Sequence, residues 1–249
     1  MKKILFVIPH PDDMACGMGG IANLLKADFQ LHVVCATKGE RGLRGHSLAE
    51  TAAIRQREQE ADSALLGASL TFLGKLDREL YADQETCKRV ADIIREINPI
   101  AVFTIWAVDD HPDHSAISEI VRKAVFITER PIEIVYCEEG EHQTTLFEPE
   151  VYIDISDVIE KKLALIRCHV CQNKDDKLVQ HFLEKSARRG AEVGCDYAEG
   201  FRTQACNGFA GRSILKAWPQ LRPAVLGKRA HEHCEPTAKQ LSTRPMNTL

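Results

Sequence analysis

The 249-residue chain carries no excess of positive charge: 32 Lys and Arg stand against 36 Asp and Glu, a formal net charge of −4. With no basic surplus to displace counterions from phosphates, nucleic acid is not an expected partner. Long apolar runs are missing as well. The longest near the start, Ile4 to Ile8, falls far short of the ~20 residues that cross a bilayer, so no membrane span is expected. That run gives way at once to Pro9-His10-Pro11-Asp12-Asp13 with no small-residue cleavage site, so a secretory signal is not expected either. The nine cysteines, odd in number, follow no regular spacing, unlike a secreted disulfide framework. Several lie in apolar runs, Cys35 and Cys137 among them, where a free thiol packs as a small hydrophobe. A reduced, cytoplasmic protein is the expectation. Repeats and low-complexity tracts are also absent. With 44% apolar and 27% charged residues, wholesale disorder is excluded.

What is present is an alternation. Short, continuous apolar runs at 4–8, 30–37, 70–73, 100–105, 132–136 and 151–155 read as strands buried on both faces. Between them, segments 17–26, 49–66, 86–97, 115–125, 156–168 and 177–188 read as helices. Ser47 and Glu50 form a capping box, and Gly67 and Asn98-Pro99 act as stops. Strands alternating with helices imply βαβ units, a mainly parallel sheet and helices on both of its faces. The spacing predicts one α/β domain over 1–210. Residues 211–249, punctuated by Pro219, Pro223, Pro236 and Pro245, form an extension that is irregular or packed on the domain.

In open α/β sheets, ligands bind beyond the carboxyl ends of the strands. The first strand ends in His10-Pro11-Asp12-Asp13, and the strand ending at Ile105 leads to Asp109-Asp110-His111-Pro112-Asp113-His114. Both clusters should face one crevice. His10, Asp13 and His114 supply two imidazoles and a carboxylate, a set that holds catalytic zinc with a fourth position open. Asp12 is placed to accept a proton from water activated there. His111, opposite, would stabilise an oxyanion or protonate a leaving amine, with Asp113 accepting its other ring N–H. Two histidines and one carboxylate also make the facial triad of non-haem Fe(II) enzymes, and the residues leave that alternative open.

These two motifs resemble those of the LmbE-like, or PIG-L, family of zinc-dependent N-acetylglucosamine deacetylases. The likeness extends over roughly residues 3–203. It includes Thr37-Lys38-Gly39-Glu40-Arg41-Gly42, Arg55 and Glu58 before Leu66-Gly67, and Asp77 after Phe72-Leu73-Gly74. His169 with Gln172, and Tyr197-Ala198-Glu199-Gly200-Phe201-Arg202, also fit. The resemblance implies a Rossmann-like fold with the metal at the carboxyl ends of the strands. It implies Zn2+ on His10, Asp13 and His114, with another divalent ion such as Fe2+ admissible. Asp12 is then the general base, and His111 the charged or proton-donating partner. Arg55 and Asp77 would hold sugar hydroxyls of a small-molecule N-acetyl amino sugar conjugate. Homo-oligomers occur in that family, so self-association is compatible with the resemblance. Met14 departs from it, standing where the family usually has Glu. That departure motivates a further alternative, a sugar- or metal-binding homologue without turnover.

Three other motifs read as structural. Gly17-Met18-Gly19-Gly20 lacks the G-x-G-x-x-G spacing of a dinucleotide site and is expected to let backbone pass close to the metal loop. Cys168-His169-Val170-Cys171 has no second C-x-x-C and reads as core packing within a helix. His231-Glu232-His233-Cys234 reads as part of a tail.

Overall fold

The computed structural model describes residues 1–140, 143–219 and 221–224. Five apolar runs become the strands β1 (Lys2–Ile8), β2 (Phe29–Thr37), β3 (Ser69–Lys75), β4 (Ala101–Ile105) and β5 (Ile132–Cys137). They pair in parallel in the order β3-β2-β1-β4-β5, with Phe6 of β1 opposite Val33 of β2 on one side and Phe103 of β4 on the other. Every residue of β4 and β5 is buried, which is why each appears as an unbroken run rather than an alternation. The sheet continues through β6 (Val151–Asp154), β7 (Ala198–Cys206) and the two-residue β8 (Pro223–Ala224), in the order β5-β7-β6-β8. These last pairings are antiparallel. The sheet is thus mainly parallel with an antiparallel extension.

Sequence patterning does not announce β7. Its first four residues are buried, but Glu199, Arg202, Thr203 and Gln204 break any apolar run, and its second half is progressively exposed.

The helices are α1 (Asp13–Leu25), α2 (Leu48–Leu66), α3 (Gln84–Ile97), α4 (Pro112–Thr128), α5 (Ile159–Arg167), α6 (Lys177–Val193) and α7 (Ile214–Ala217). They flank the sheet in two groups: α3 packs on α4, while α1 packs on α5 and touches α2. The capping box closes at both hydrogen bonds, and Gly67 ends α2 in the left-handed region. Two helices begin earlier than apolar periodicity suggests. Helix α1 starts at Asp13 rather than Gly17, and α4 at Pro112 rather than Ser115, its proline taking the first-turn position where a missing N–H costs nothing. Asp13, Asp113 and His114 therefore sit in first turns, at the positive ends of two helix dipoles. Those helices follow β1 and β4, the neighbours between which the strand order reverses, so both motifs open onto one crevice.

Helix α2 has an unusual inner face. Thr51, Arg55, Gln59, Asp62, Ser63 and Leu66 are its buried residues, spaced three and four apart along one side. A buried stripe that is almost wholly polar must find its partners inside the protein.

The C-terminal portion that is described packs into the same core. Ile214, Leu215 and Leu221 are buried, and Trp218 lies 4.4 Å from Phe29, its indole N–H donating to Asp28 at 3.0 Å. The His231–Cys234 motif lies outside the described residues. Among those described, no helix is long and apolar enough to cross a membrane.

Candidate metal centre

The turn after β1 and the first turn of α4 bring His10, Asp13 and His114 together, all nearly fully buried. Nδ1 of His10 lies 3.4 Å from Oδ2 of Asp13, and Nε2 of His114 lies 3.6 Å from Oδ1 of the same carboxylate. The His10 and His114 rings are 5.3 Å apart, centre to centre. Two ligands of a tetrahedral zinc, each ~2.0–2.1 Å from the ion, stand about 3.4 Å from each other. Each histidine thus stands at about that spacing from one oxygen of Asp13.

Hydrogen bonds on the outer ring nitrogens settle which atoms face inward. Nε2 of His10 is 3.0 Å from Oδ2 of Asp113 and 3.4 Å from Oδ1 of Asp77. Nδ1 of His114 is 3.1 Å from Oδ1 of Asp109, with the Gln143 amide at 3.4 Å. Each carboxylate is itself fixed: Asp113 accepts backbone N–H groups of Arg78 and Leu80, Asp77 that of Arg41, and Asp109 the N–H of His111 and the hydroxyl of Thr144. Each histidine is held from outside by a carboxylate, and its remaining ring nitrogen faces Asp13. Among the described residues, the sets whose donor atoms all fall within 4.8 Å of one another are His10, His111 and His114, and His10, Asp77 and Asp113, so His111 rather than Asp13 completes the histidine pair by that measure. In the second group the carboxylates are already engaged by backbone donors and act as a collar around Nε2 of His10. Burial alone would lower the His10 pKa, but hydrogen bonds to Asp113, Asp13 and Asp77 raise it well above the ordinary value. Against the upward push of burial, His114 and His10 hold Asp13 low.

Asp113 departs from its expected pairing. Its carboxylate lies on His10, not on His111. The contact with His111 runs the other way: the Asp113 backbone N–H donates to Nδ1 of His111, 3.2 Å away, making His111 the N-cap of α4. With Nδ1 an acceptor, the ring's proton sits on Nε2. Burial, with His10 and His114 beside it, lowers the His111 pKa. His111 is thus arranged as a hydrogen-bond donor through Nε2.

Asp12 occupies the turn between β1 and α1 with φ 95°, a left-handed conformation that costs a non-glycine residue. Its Oδ2 receives the Arg55 guanidinium at 3.0 Å, and its backbone N–H donates to Gln59 at 3.2 Å. Gln59 passes its amide N–H to Asp62 at 2.9 Å, and Nε2 of His169 lies 3.4 Å from the same Asp62 oxygen. The polar stripe of α2 is therefore the support of the Asp12 turn, and His169 stands behind it, fully buried. Burial pushes the Asp12 carboxyl up despite Arg55, with the Asp13 charge reinforcing the rise.

Arg55 and Asp77, expected on sugar hydroxyls, are both buried and engaged within the protein. Arg55 also donates to the carbonyls of Pro11 and Gly39. Asp77, held at about 2 by His10 and Arg41 against the upward push of burial, fastens the loop after β2 to the site. Gly39 has φ +62°, and a Cβ there would stand 2.2 Å from Nη1 of Arg55. Only glycine lets the loop close on that guanidinium.

Sequence reasoning assigned no role to Glu139, just past β5. It is buried, its Oε1 has no hydrogen-bond partner, and it lines the cleft. Burial, with Asp13, Asp12 and Asp109 nearby, raises its pKa well above the ordinary range. A Cβ on Gly17 would stand 2.5 Å from that oxygen, so what the glycine of α1 admits is the Glu139 side chain. Asp109, likewise unassigned, is the orienting partner of His114. Cys168 and Cys171 are half-buried and lie beyond the end of α5; the Cys171 thiol donates to Glu58 and is pushed up to about 12, chiefly by burial.

These residues floor a cleft of about 530 Å³, walled by Leu178 and Phe182 of α6 and rimmed by Arg41, Arg44, Arg78 and Gln172.

Residues 5–125 match the family model described as PIG-L, GlcNAc-PI de-N-acetylase. The chain is 32% identical over 225 residues to the diacetylchitobiose deacetylase of Thermococcus kodakarensis, covering 81% of this chain and 83% of that protein. It is 28% identical to the 4-oxalmesaconate hydratase of Pseudomonas putida, with 77% and 81% covered. Among solved structures, the N,N'-diacetylchitobiose deacetylase of Pyrococcus horikoshii in complex with an inhibitor superposes with a TM-score of 0.74 at 29% identity, over 82% of this chain and 84% of that one. The converging imidazoles and carboxylates, the fold that carries them and these likenesses agree: the chain belongs to the PIG-L, or LmbE-like, family.

Proposed function

We propose that the protein is a metal-dependent N-deacetylase of a small N-acetylglucosamine-type sugar or conjugate. The observation that carries this reading is the pairing of a metal-ready donor set with a separate carboxylate, Asp12, that faces the same cleft. His10 through Nδ1, Asp13, and His114 through Nε2 would hold the ion. When bound, zinc supplies Lewis acidity and water that ionises near neutral pH.

The chain's own groups do the rest. With Oδ2 of Asp12 bound to Arg55, Oδ1 is the atom left to take a proton from the attacking water and return it to the departing amine. Nε2–H of His111 donates a hydrogen bond to the oxygen that gains charge as the acetamide carbon becomes tetrahedral. Asp113 and Asp109 keep the two histidines in the tautomers that metal binding requires. The support comes from the donor spacing, the deacetylase relatives and the division of labour between Asp12 and Asp13.

The hydratase relative favours a second reading, addition of water to a carbon–carbon double bond, since the same base and acidified water would serve it. One experiment separates the two. The protein, metal-analysed and assayed aerobically and anaerobically, is offered a panel of N-acetylglucosaminides and an unsaturated dicarboxylate. Release of free amine and acetate by wild type, absent from Asp12→Ala, supports deacetylation. Consumption of the alkene alone supports hydration, and O2-dependent turnover with bound iron would place the site among the Fe(II) enzymes.

A further inference from the structure

The aspartates on the floor of the cleft are all engaged within the protein. Asp12 is paired with Arg55, Asp13 lies against His10 and His114, and Asp77 receives the Arg41 backbone N–H. Glu139 is different. It borders the same cleft and is buried, yet its Oε1 has no hydrogen-bond partner among the described residues. A buried polar group left unmet is costly, so such groups in folded proteins ordinarily find partners.

The rest of the residue is fastened. Its backbone N–H donates to the Thr144 hydroxyl at 2.9 Å, and that hydroxyl donates to Asp109 at 2.8 Å, the carboxylate that meets Nδ1 of His114. Its carbonyl accepts from Nζ of Lys185, a buried cation of α6 that also donates to the Glu138 carbonyl at 2.8 Å. One turn on, Arg189 grips the Glu138 carboxylate with two hydrogen bonds, each 2.6 Å. On the α1 side, Gly17 leaves the room in which the carboxyl lies, since a Cβ there would stand 2.5 Å from Oε1 and 2.8 Å from Sγ of Cys137. A main chain held this firmly around an acid with an unmet oxygen is preorganised for a donor supplied from the cleft.

We propose that Glu139 accepts a hydrogen bond from one ring hydroxyl of the sugar and so sets which N-acetylhexosamines the cleft takes. That the donor is a sugar hydroxyl rests on the deacetylase reading above. A carboxyl group accepts from O–H whether or not it carries a proton, so the assignment does not turn on its titration. Asp13, Asp12 and Asp109 all act on Glu139, which suits a neutral donor at this point rather than a further acid. The acetamide N–H is not that donor, because its nitrogen must face Asp12 to be protonated as it departs. Ring hydroxyls are the donors that remain. Leu178 and Phe182 line the same cleft and offer apolar surface to the C–H face of a pyranose.

The test offers the metal-loaded protein methyl N-acetylglucosaminide and its 3-deoxy, 4-deoxy and 6-deoxy analogues. Wild type, Glu139→Gln and Glu139→Met are compared by kcat/KM and, in parallel, by calorimetric binding. In wild type one deoxy analogue should be about tenfold or more poorer than the parent sugar. Glu139→Met should erase that gap by weakening the parent alone, and Glu139→Gln, which keeps an acceptor, should narrow it. A uniform loss on all four compounds would mean a structural role and overturns the subsite. Acetate release with no analogue discriminated, or with a gap that survives Glu139→Met, overturns the subsite and leaves deacetylation standing. If nothing loses acetate but the gap appears in binding and vanishes in Glu139→Met, the subsite stands and deacetylation falls. Binding of none of the four overturns the subsite. Should thermal melts show Glu139→Met unfolded, a gap narrowed in Glu139→Gln supports the subsite and an unchanged gap overturns it.

Discussion

Oδ2 of Asp113 stands 3.0 Å from Nε2 of His10 and 2.7 Å from the backbone nitrogen of Arg78, so one oxygen joins the turn after β1 to the loop after β3. Asp113 thereby orients His10 rather than pairing through its carboxylate with His111. Asp113→Ala should weaken zinc affinity 10–100-fold, because the imidazole loses its tautomer and its orientation. Competition against a chelating dye measures this directly. An unchanged affinity would show that His10 is held by other means.

Arg55, buried, and Asp12, half-buried at the cleft, form an ion pair at 3.0 Å. Removing only the cation leaves that carboxylate uncompensated beside Asp13, and breaking a pair from one side costs about 3–5 kcal/mol where it is fully buried, less where water reaches it. Arg55→Met should therefore be destabilised in urea unfolding, and adding Asp12→Asn should restore part of the loss. Additive effects of the two substitutions would mean that the pair is not coupled.

Glu139 gives a pH signature in the metal-stripped protein. Burial and the surrounding carboxylates make it hold its proton to higher pH in the folded protein, whereas the unfolded chain releases that proton above about 4.3. A raised folded-state pKa in an acid means that the unfolded state binds fewer protons, so stability falls as pH climbs through the unfolded value and toward the folded one. Glu139→Gln lacks this loss. Its advantage in melting temperature over wild type should grow between about pH 4 and about pH 7. A constant difference across that range would refute the protonated assignment.

Gly39→Ala sets a Cβ against Nη1 of Arg55 at 2.2 Å and strains φ +62° besides. The cost should be about 1–3 kcal/mol or more, since overpacking and backbone strain act together. Thermal denaturation should show it, while alanine at Gly67, where nothing lies within 4 Å of a Cβ, should show the backbone part alone.

The parallel half of the sheet was legible because strands buried on both faces leave unbroken apolar runs, and the two histidine motifs stood at the ends of two of them. The first turns of α1 and α4 were not, because Asp13-Met14 and Pro112-Asp113-His114 carry no apolar period; their helical character comes from proline at the first position of α4 and from the free backbone N–H groups of a first turn, which favour acidic neighbours. The inner face of α2 was hidden for a related reason. Arg55, Gln59 and Asp62 look like a solvated surface in sequence, and only the fold reveals that they are enclosed. Glu139 left no signal at all, since a glutamate after a strand is ordinarily a solvent-facing charge.

The backbone of Asp12, at φ 95°, has a consequence for what can stand in its place. Among residues with a Cβ, aspartate and asparagine tolerate that geometry best. Glycine would sit there comfortably but bring no acid, and glutamate would bring the acid on a frame ill suited to the bend. The chemistry and the local stereochemistry thus converge on a single side chain. Asparagine, which changes only the protonatable atom, is the replacement that isolates the proton-transfer role from the shape of the turn.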